Sequence, residues 1–464
     1  MPPALRRMQT GFKGTAARSY PLHLTSPRNM LRTLGSLSPL FLSMGTLLLG
    51  GGLLGTLLAV RMGIEGFGLD VIGLVMACYS VGFVMATLVC SRIIQKVGHI
   101  RCFAAFAAIA ACSALVHGLH VDPWLWAGMR IIFGFAVAGL YMVTESWLND
   151  RTPREFRGQV LGVYVVVTSV SLGSGQFLLN VWDVSGYQLF SLAGILMAAA
   201  LVPVALARVS YPEILPTRRV GLRTLYAISP MATVTAFGAG LSNGGFFALG
   251  PVFAVAMGFS TAEVASFMGT AILGGLFLPY LIGRMSDHFD RRRLIMVVTT
   301  SVALVSIVIA SVQSPSLPLI IGLAVFWGGL NFTVYALGLA LAHDFMEPEE
   351  RVPASATLLL VHGSSMIPGP LILARFMAGL GSQGLFLGFA VIAVCIAGFG
   401  WHRNRVGDTI RVAEQETYRA VPQVVASTPL TPVLEAETED MQLAFDFDLP
   451  ASDAEPRATT DVDG

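Results

Sequence analysis

Gly283-Arg284-Met-Ser-Asp287-His-Phe-Asp-Arg291-Arg292-Arg293 is a short charged interruption between two long apolar runs. A similar interruption, Ser91-Arg92-Ile-Ile-Gln95-Lys96-Val-Gly98-His-Ile-Arg101, stands 192 positions earlier, again between two apolar runs. Laid on one another, the two stretches bring Arg92 onto Arg284 and Arg101 onto Arg293. An offset of 194 aligns Gly134 with Gly328, Tyr141 with Tyr335, Asp150 with Asp344, Arg157 with Arg351 and Gly175 with Gly369. A nearly constant offset over this distance points to a chain made of two similar halves.

The flanking runs state what kind of halves these are. Of 464 residues, 54% are hydrophobic and only 12% charged, where a soluble domain carries about 25% charged residues. Too little polar surface remains to cover a core, so lipid is part of the solvent. A spanning helix needs about 20 predominantly apolar residues. Charge-free runs of that kind occur at Ser36–Val60, Val71–Ser91, Cys102–Val121, Gly158–Trp182, Val184–Ala207 and Val264–Gly283. Pro123–Thr144 holds one charge, Arg130. Ala227–Met257 reads as one long helix that tilts or breaks at Pro251. Leu294–Leu341 divides at the turn signal Gln313-Ser-Pro-Ser-Leu-Pro318, and Val352–Trp401 divides near Gly379–Gly384. The sequence therefore predicts twelve transmembrane helices in an all-α membrane protein, six to each half.

Arginine placement predicts the orientation, because cytoplasmic loops retain positive charge. One side collects Arg6, Arg7, Lys13, Arg18, Arg28 and Arg32, then Arg92, Lys96 and Arg101, then Arg151, Arg154 and Arg157. It continues with Arg208, Arg218, Arg219 and Arg223, then Arg284 and Arg291 to Arg293, then Arg351, and ends with Arg403, Arg405, Arg411, Arg419 and Arg457. The opposite side has only Arg61 outside the helices. Both termini are thus expected in the cytoplasm. The division that follows is a basic tail at 1–35, a six-helix half at 36–208, a cytoplasmic linker at 209–224, a second half at 225–403, and an acidic, disordered tail at 404–464. The first 35 residues lack any acid. They read as a cytoplasmic tail, a start codon upstream of Met30, or an organellar transit peptide. Duplicated six-helix halves are a sign of secondary transporters.

With these residues in place the chain resembles the major facilitator superfamily over roughly residues 36–403. The family's loop motif, Gly-x-x-x-Asp-Arg-x-Gly-Arg-Arg, is matched by Gly283, Asp287 and the arginines to Arg293. The earlier copy departs from it at Ser91, Gln95 and Lys96, while Gly98 and Arg101 survive. Arg130-Ile-Ile-Phe-Gly134 resembles the family's Arg-x-x-x-Gly element. Glu145-Ser-Trp-Leu-Asn149 with Arg157-Gly158 is similar to the YcaD-like branch of bacterial transporters. The fifth helix reads Ser171-Leu-Gly-Ser-Gly175-Gln176 and lacks the Gly-Pro motif common in drug/proton antiporters. The resemblance implies a monomer in a bacterial inner membrane that moves a small solute by alternating access, with energy from a proton gradient. It also implies that Arg130 faces the cavity, and that the Asp287–Arg293 loop holds a gate on the cytoplasmic face.

An ionisable side chain inside a span is costly and marks a functional site by default. Arg130 is a candidate for substrate or proton handling, with a snorkelling or structural role as the alternative. Glu145 is a candidate gate partner for Arg157 or Arg92, or a proton acceptor. His362 is mid-helix and titrates near neutrality when unperturbed, so it is a candidate proton relay or simply an interhelical hydrogen bond. Arg375 reads as an interface anchor. Candidate substrate contacts are Gln176 and Asn180 on the fifth helix, Asn243 on the seventh, and Asn331 and Tyr335 on the tenth, each equally readable as an interhelical bond. Phe246, Phe247 and Trp327 are candidates for an apolar wall. Gating is assigned to Arg92, Arg101, Arg157, Asp287, Arg291 and Arg293. The pairs Gly51/Gly55 and Gly158/Gly162 have spacing suited to close helix contact.

No nucleotide-binding loop, metal-ligand cluster or nucleophile–base constellation is visible, so no cofactor, metal or enzyme activity is expected, nor a nucleic-acid partner. The five cysteines all sit in or beside apolar stretches and read as small buried side chains. Two other readings stay open: efflux of hydrophobic compounds, and a non-transporting sensor or scaffold acting through residues 404–464.

Overall fold

The computed structural model describes residues 27–153, 156–206, 221–312 and 316–406. Residues 1–26, 154–155, 207–220, 313–315 and 407–464, which hold most of both tails and of the linker, lie outside the described residues. Every regular element among the described residues is a helix. Twelve of them are long and apolar enough to cross a membrane, labelled in chain order: α1 Met30–Ile64, α2 Leu69–Val97, α3 His99–Leu119, α4 Pro123–Arg151, α5 Arg157–Asn180, α6 Gln188–Leu206, α7 Pro230–Ala256, α8 Thr261–Ser286, α9 Arg291–Ser311, α10 Leu317–His343, α11 Pro353–Leu380 and α12 Gly384–Arg405. The chain is an integral membrane protein.

Local chemistry sets the helix ends. Asp122 accepts from the Leu125 N–H at 2.7 Å with Pro123 in the first turn of α4, a favoured start for a helix. Ser260 and Glu263 form a capping box on α8, and Asp290 accepts from the Arg293 N–H at 2.8 Å to open α9. Gly66 after α1 and Gly258 after α7 both carry positive φ, 75° and 83°, a conformation in which glycine has no steric penalty. At both places the following phenylalanine reaches back over the turn, Phe67 N–H to Met62 O at 3.0 Å and Phe259 N–H to Ala254 O at 3.1 Å. These two turns are also 192 residues apart.

The duplication is structural as well as sequential. In the first half α2 and α4 cross so closely that a Cβ on Gly82 would overlap the Ile131 carbonyl, and one on Gly134 the Tyr79 carbonyl. In the second half α8 and α10 repeat this, Gly274 against Val325 and Gly328 against Ala271. A second crossing joins α1 to α5 through Gly52 on Leu172 and Gly175 on Leu49, and α7 to α11 through Gly244 on Met366 and Gly369 on Leu241. In all of these the helix early in each half obeys the 192 offset and the later helix the 194 offset. Small residues let backbones approach where dispersion, not water, drives association. This is the reason the two glycine matches of the sequence, 134/328 and 175/369, exist.

Between the halves, the described contacts gather towards the end opposite the chain termini. Gly73 of α2 lies against Pro370 and Ala374 of α11, and Gly173 of α5 against Gly269 and Leu273 of α8. Arg375 Nε pairs with Asp70 Oδ1 at 3.2 Å. Arg375, read from the sequence as an anchor at the membrane interface, is exposed at that rim and also bridges the two halves there. Midway, Val84 of α2 meets Gly363 of α11.

Two helices carry internal prolines. α7 is one long helix, as expected, and runs through Pro251 without a break, which membrane helices tolerate when neighbours satisfy the freed backbone. α11 is interrupted at Met366–Ile367 between Pro348–Ser365 and Pro368–Leu380. Pro368 and Pro370 have no N–H for the carbonyls one turn back, and the Ile367 N–H turns to Ser364 O at 3.3 Å.

Candidate functional site

α4 and α7 are the most enclosed spans, with 72% and 78% of their apolar windows buried against 39% for α6. They are therefore the helices that position the centre. Between the halves lies a cavity. α1 contributes Gly51, Gly55 and Thr56, α2 Tyr79 and Ser80, α4 Arg130, Phe133 and Tyr141, α5 Leu172 and Gln176, α7 Phe247, and α11 Met366 at its break.

Among the described residues of this wall, Arg130 is the one charged side chain. The close α2–α4 crossing at Gly134 carries it one turn along α4 over the ring of Tyr79. Its guanidinium carbon lies 4.8 Å from that ring's centroid and 5.9 Å from that of Phe133, which supplies cation–π attraction. The residue is 5% exposed, and its Nε has no hydrogen-bond partner among the described residues.

Gln176 also lines the cavity, but its amide is occupied. Its Oε1 accepts from the Thr56 hydroxyl, and its Nε2 donates to Gly52 O at 3.0 Å and Leu172 O at 3.3 Å. Asn180 does not share its wall. α5 tightens into a 3-10 turn at Leu178–Asn180, and Asn180 is exposed with its amide on Phe177 O at 3.2 Å.

Asn243, Asn331, Tyr335 and His362 come together from α7, α10 and α11, but behind the cavity wall. Asn331 donates to Asn243 Oδ1 at 2.9 Å, and Asn243 Nδ2 lies 3.2 Å from His362 Nε2. The Tyr335 and His362 rings are 4.6 Å apart. Of the three candidate aromatics, Phe247 lines the cavity, while Phe246 and Trp327 are fully buried and packed together at 4.8 Å. Gly51 and Gly55 are not contact glycines either: a Cβ on either would meet no atom within 4 Å, as would one on Gly162. Gly51 and Gly55 keep the cavity open.

At the terminal end of the bundle, Arg291 is buried. It donates to Ser286 Oγ at 2.9 Å and Ala340 O at 3.1 Å, pairs with Asp344, and reaches Asp287 at 3.5 Å. The 192 offset places His99 at the equivalent position of the first half. His99 Nε2 lies 2.9 Å from Ser146 Oγ, and Ser146 is the counterpart of Ala340 under the 194 offset. Arg92, Arg101 and Arg293 are exposed and Arg157 is half-buried. Glu145 is fully buried, with the Tyr164 hydroxyl 3.4 Å from its carboxylate. The sequence reading missed Thr56, Tyr79, Ser80, Phe133 and Tyr141; for Phe133, three residues after Arg130 on one helix, that spacing was an available signal, while Tyr79 reaches Arg130 only through the α2–α4 crossing.

Two six-helix halves around one central cavity define a membrane transporter. The chain belongs to the Major Facilitator Superfamily, whose sequence profile matches residues 40–370 and 280–435. An uncharacterized MFS-type transporter of Yersinia pestis (strain Pestoides F) is 26% identical over 335 residues, 69% of this chain and 84% of that protein. The uncharacterized MFS-type transporter YcaD of Salmonella arizonae is 26% identical over 332 residues with the same coverage, in keeping with the YcaD-like features of the sequence. Among solved structures, the nucleoside transporter NupG superposes with a TM-score of 0.65 at 14% identity, over 80% of this chain and 99% of that one. A bacterial homologue of the human lysosomal transporter Spinster, inward-facing and occupied, gives 0.67 at 14% over 82% and 97%. At these identities the likeness is one of fold.

Proposed function

We propose that this transporter is a secondary carrier that moves a small solute by alternating access through the cavity between its halves. The carrying observation is that cavity's position. It lies between two similar six-helix bodies whose described contacts gather at the rim opposite the chain termini. Each half is held together by its own glycine crossings, so the halves are suited to tilt as units about the cavity.

In this reading Glu145 and His362, buried in α4 and α11, serve proton coupling, and the Arg291–Asp287–Asp344 cluster with Arg92, Arg101, Arg157 and Arg293 sets the gate at the other rim. The termini face the cytoplasm of a bacterial inner membrane. The arginine bias of the loops supports the orientation, and the bacterial relatives support the location. One chain builds the whole cavity, which supports a functional monomer.

The test needs no substrate. Spin labels at Ile64 and Leu380, exposed on opposite halves at the far rim, should show two distance populations in lipid nanodiscs, with the longer one growing under some condition of pH or solute. A single distance under every condition rules out alternating access. The largely apolar lining favours one second reading, export of hydrophobic compounds by the same cavity. In that case a deletion strain becomes sensitive to structurally unrelated compounds.

A further inference from the structure

The cavity carries one net positive charge with no acidic side chain among the described lining residues to balance it. Its lining contains Arg130 and no aspartate, glutamate, lysine or histidine. The acids of neighbouring elements are engaged or remote. Asp70 is paired with Arg375 at the rim, and Asp122 caps α4. Glu145 lies fifteen residues further along α4, about 22 Å away along the helix axis. A guanidinium stays charged at any physiological pH, and an unpaired buried charge costs several kcal/mol. A site that keeps such a charge is complementary to something that brings the opposite one.

We infer that the transported solute is an organic monoanion, anchored by its carboxylate on Arg130 with an aromatic or branched apolar body against the apolar lining. One planar guanidinium matches one carboxylate in a two-pronged hydrogen bond, and the lining offers no second cation for a dianion. Much of the remaining lining is apolar: Phe133 and Val137 beside Arg130 on α4, and Leu172, Phe247, Ala248 and Met366 on α5, α7 and α11. Besides Arg130, the side-chain polar groups of the lining are the hydroxyls of Tyr79, Ser80 and Tyr141 and the Thr56–Gln176 pair. The Gln176 amide is spent on Thr56 and two carbonyls, and the polar triad of Asn243, Asn331 and His362 is turned inward on itself.

This inference rests on the cavity being the transport site, and its test separates the two. The full-length protein in lipid nanodiscs is titrated calorimetrically with benzoate, phenylacetate and indole-3-acetate, with their neutral amides, and with uridine. Carboxylates should bind and their amides should bind at least about 10-fold more weakly, the worth of a charged hydrogen bond. Arg130→Gln should remove that preference and Arg130→Lys keep part of it. Amides or uridine binding as well as the carboxylates, no carboxylate binding at all, or an unchanged preference in Arg130→Gln each overturns the inference. The comparison within the wild-type protein decides even if the variant fails to fold. Counterflow of labelled benzoate in proteoliposomes then addresses transport. Binding without exchange refutes the carrier reading and leaves the anion site standing; exchange of uridine but not benzoate does the reverse. Direction of flow in cells distinguishes an imported nutrient from an exported toxic acid.

Discussion

Asn243 Nδ2 sits 3.2 Å from His362 Nε2 while its Oδ1 accepts from Asn331 at 2.9 Å, so one amide on α7 ties α10 and α11 together. With the asparagine donating, the imidazole is held in the tautomer whose Nε2 accepts. This chain lies one residue from Gly244, which packs on Met366 at the break of α11. It therefore fixes the second-half wall of the cavity without touching the space itself.

Breaking that chain should cost stability. Asn243→Ala leaves a buried donor on Asn331 and an acceptor on His362 unmet, which predicts a loss of about 1–2 kcal/mol. Asn331→Ala combined with it should be non-additive. Unfolding in mixed micelles, read for both single variants and the double, checks this; strictly additive losses would mean the two amides are not coupled.

The α2–α4 crossing predicts a matched pair of phenotypes. Gly134→Val and Gly328→Val each drive a side chain into a backbone carbonyl across the crossing, and overpacking of this kind costs about 1–3 kcal/mol or more. Both should lower the Tm measured by size-exclusion after heating, and by similar amounts. A variant as stable as wild type in either half would refute the equivalence of the two crossings.

Gly51→Leu and Gly55→Leu should behave in the opposite way. Each new side chain extends into open space, so Tm should stay near wild type while the cavity fills. Thiol labelling of a Ser80→Cys reporter on a cysteine-free background reads the filling directly. Labelling at an unchanged rate would show that these glycines do not guard the cavity.

Arg291 and Asp344 form a pair with both side chains buried. Removing one partner of such a pair costs about 3–5 kcal/mol because the other charge is stranded, whereas replacing both with apolar groups is far cheaper. Arg291→Met should accordingly be strongly destabilising and Arg291→Met with Asp344→Leu substantially rescued. His99→Arg, which restores the second-half residue in the first half, should raise Tm only if Asp150 can close the equivalent pair.

The exposed Asp70–Arg375 pair should matter for the position of the halves more than for their folding. At 56% and 76% side-chain exposure its worth is about 0–1 kcal/mol. Arg375→Ala should leave Tm unchanged and raise the far-rim-open population by no more than about 5-fold, as read by the Ile64/Leu380 spin labels. A collapse of Tm would assign Arg375 a structural role instead.

The twelve spans, the doubling and the charged turns were decided by the sequence alone. Lipid cannot satisfy a free backbone, so each crossing must be one long apolar helix, and such runs are visible residue by residue along with the arginines between them. Which side chains meet in the centre was decided only by the tertiary structure. Gly51 and Gly52 are neighbours in the chain, yet one opens the cavity and the other presses on α5, because successive residues point about 100° apart around a helix and its rotation is set by packing. Gln176 and Asn180 are one turn apart and would share a face, but α5 tightens between them and sends Asn180 to the surface. Arg130 was legible as a charge in a membrane helix; its lack of an acidic partner among the described residues was not, since that depends on where the acids of the other helices end up.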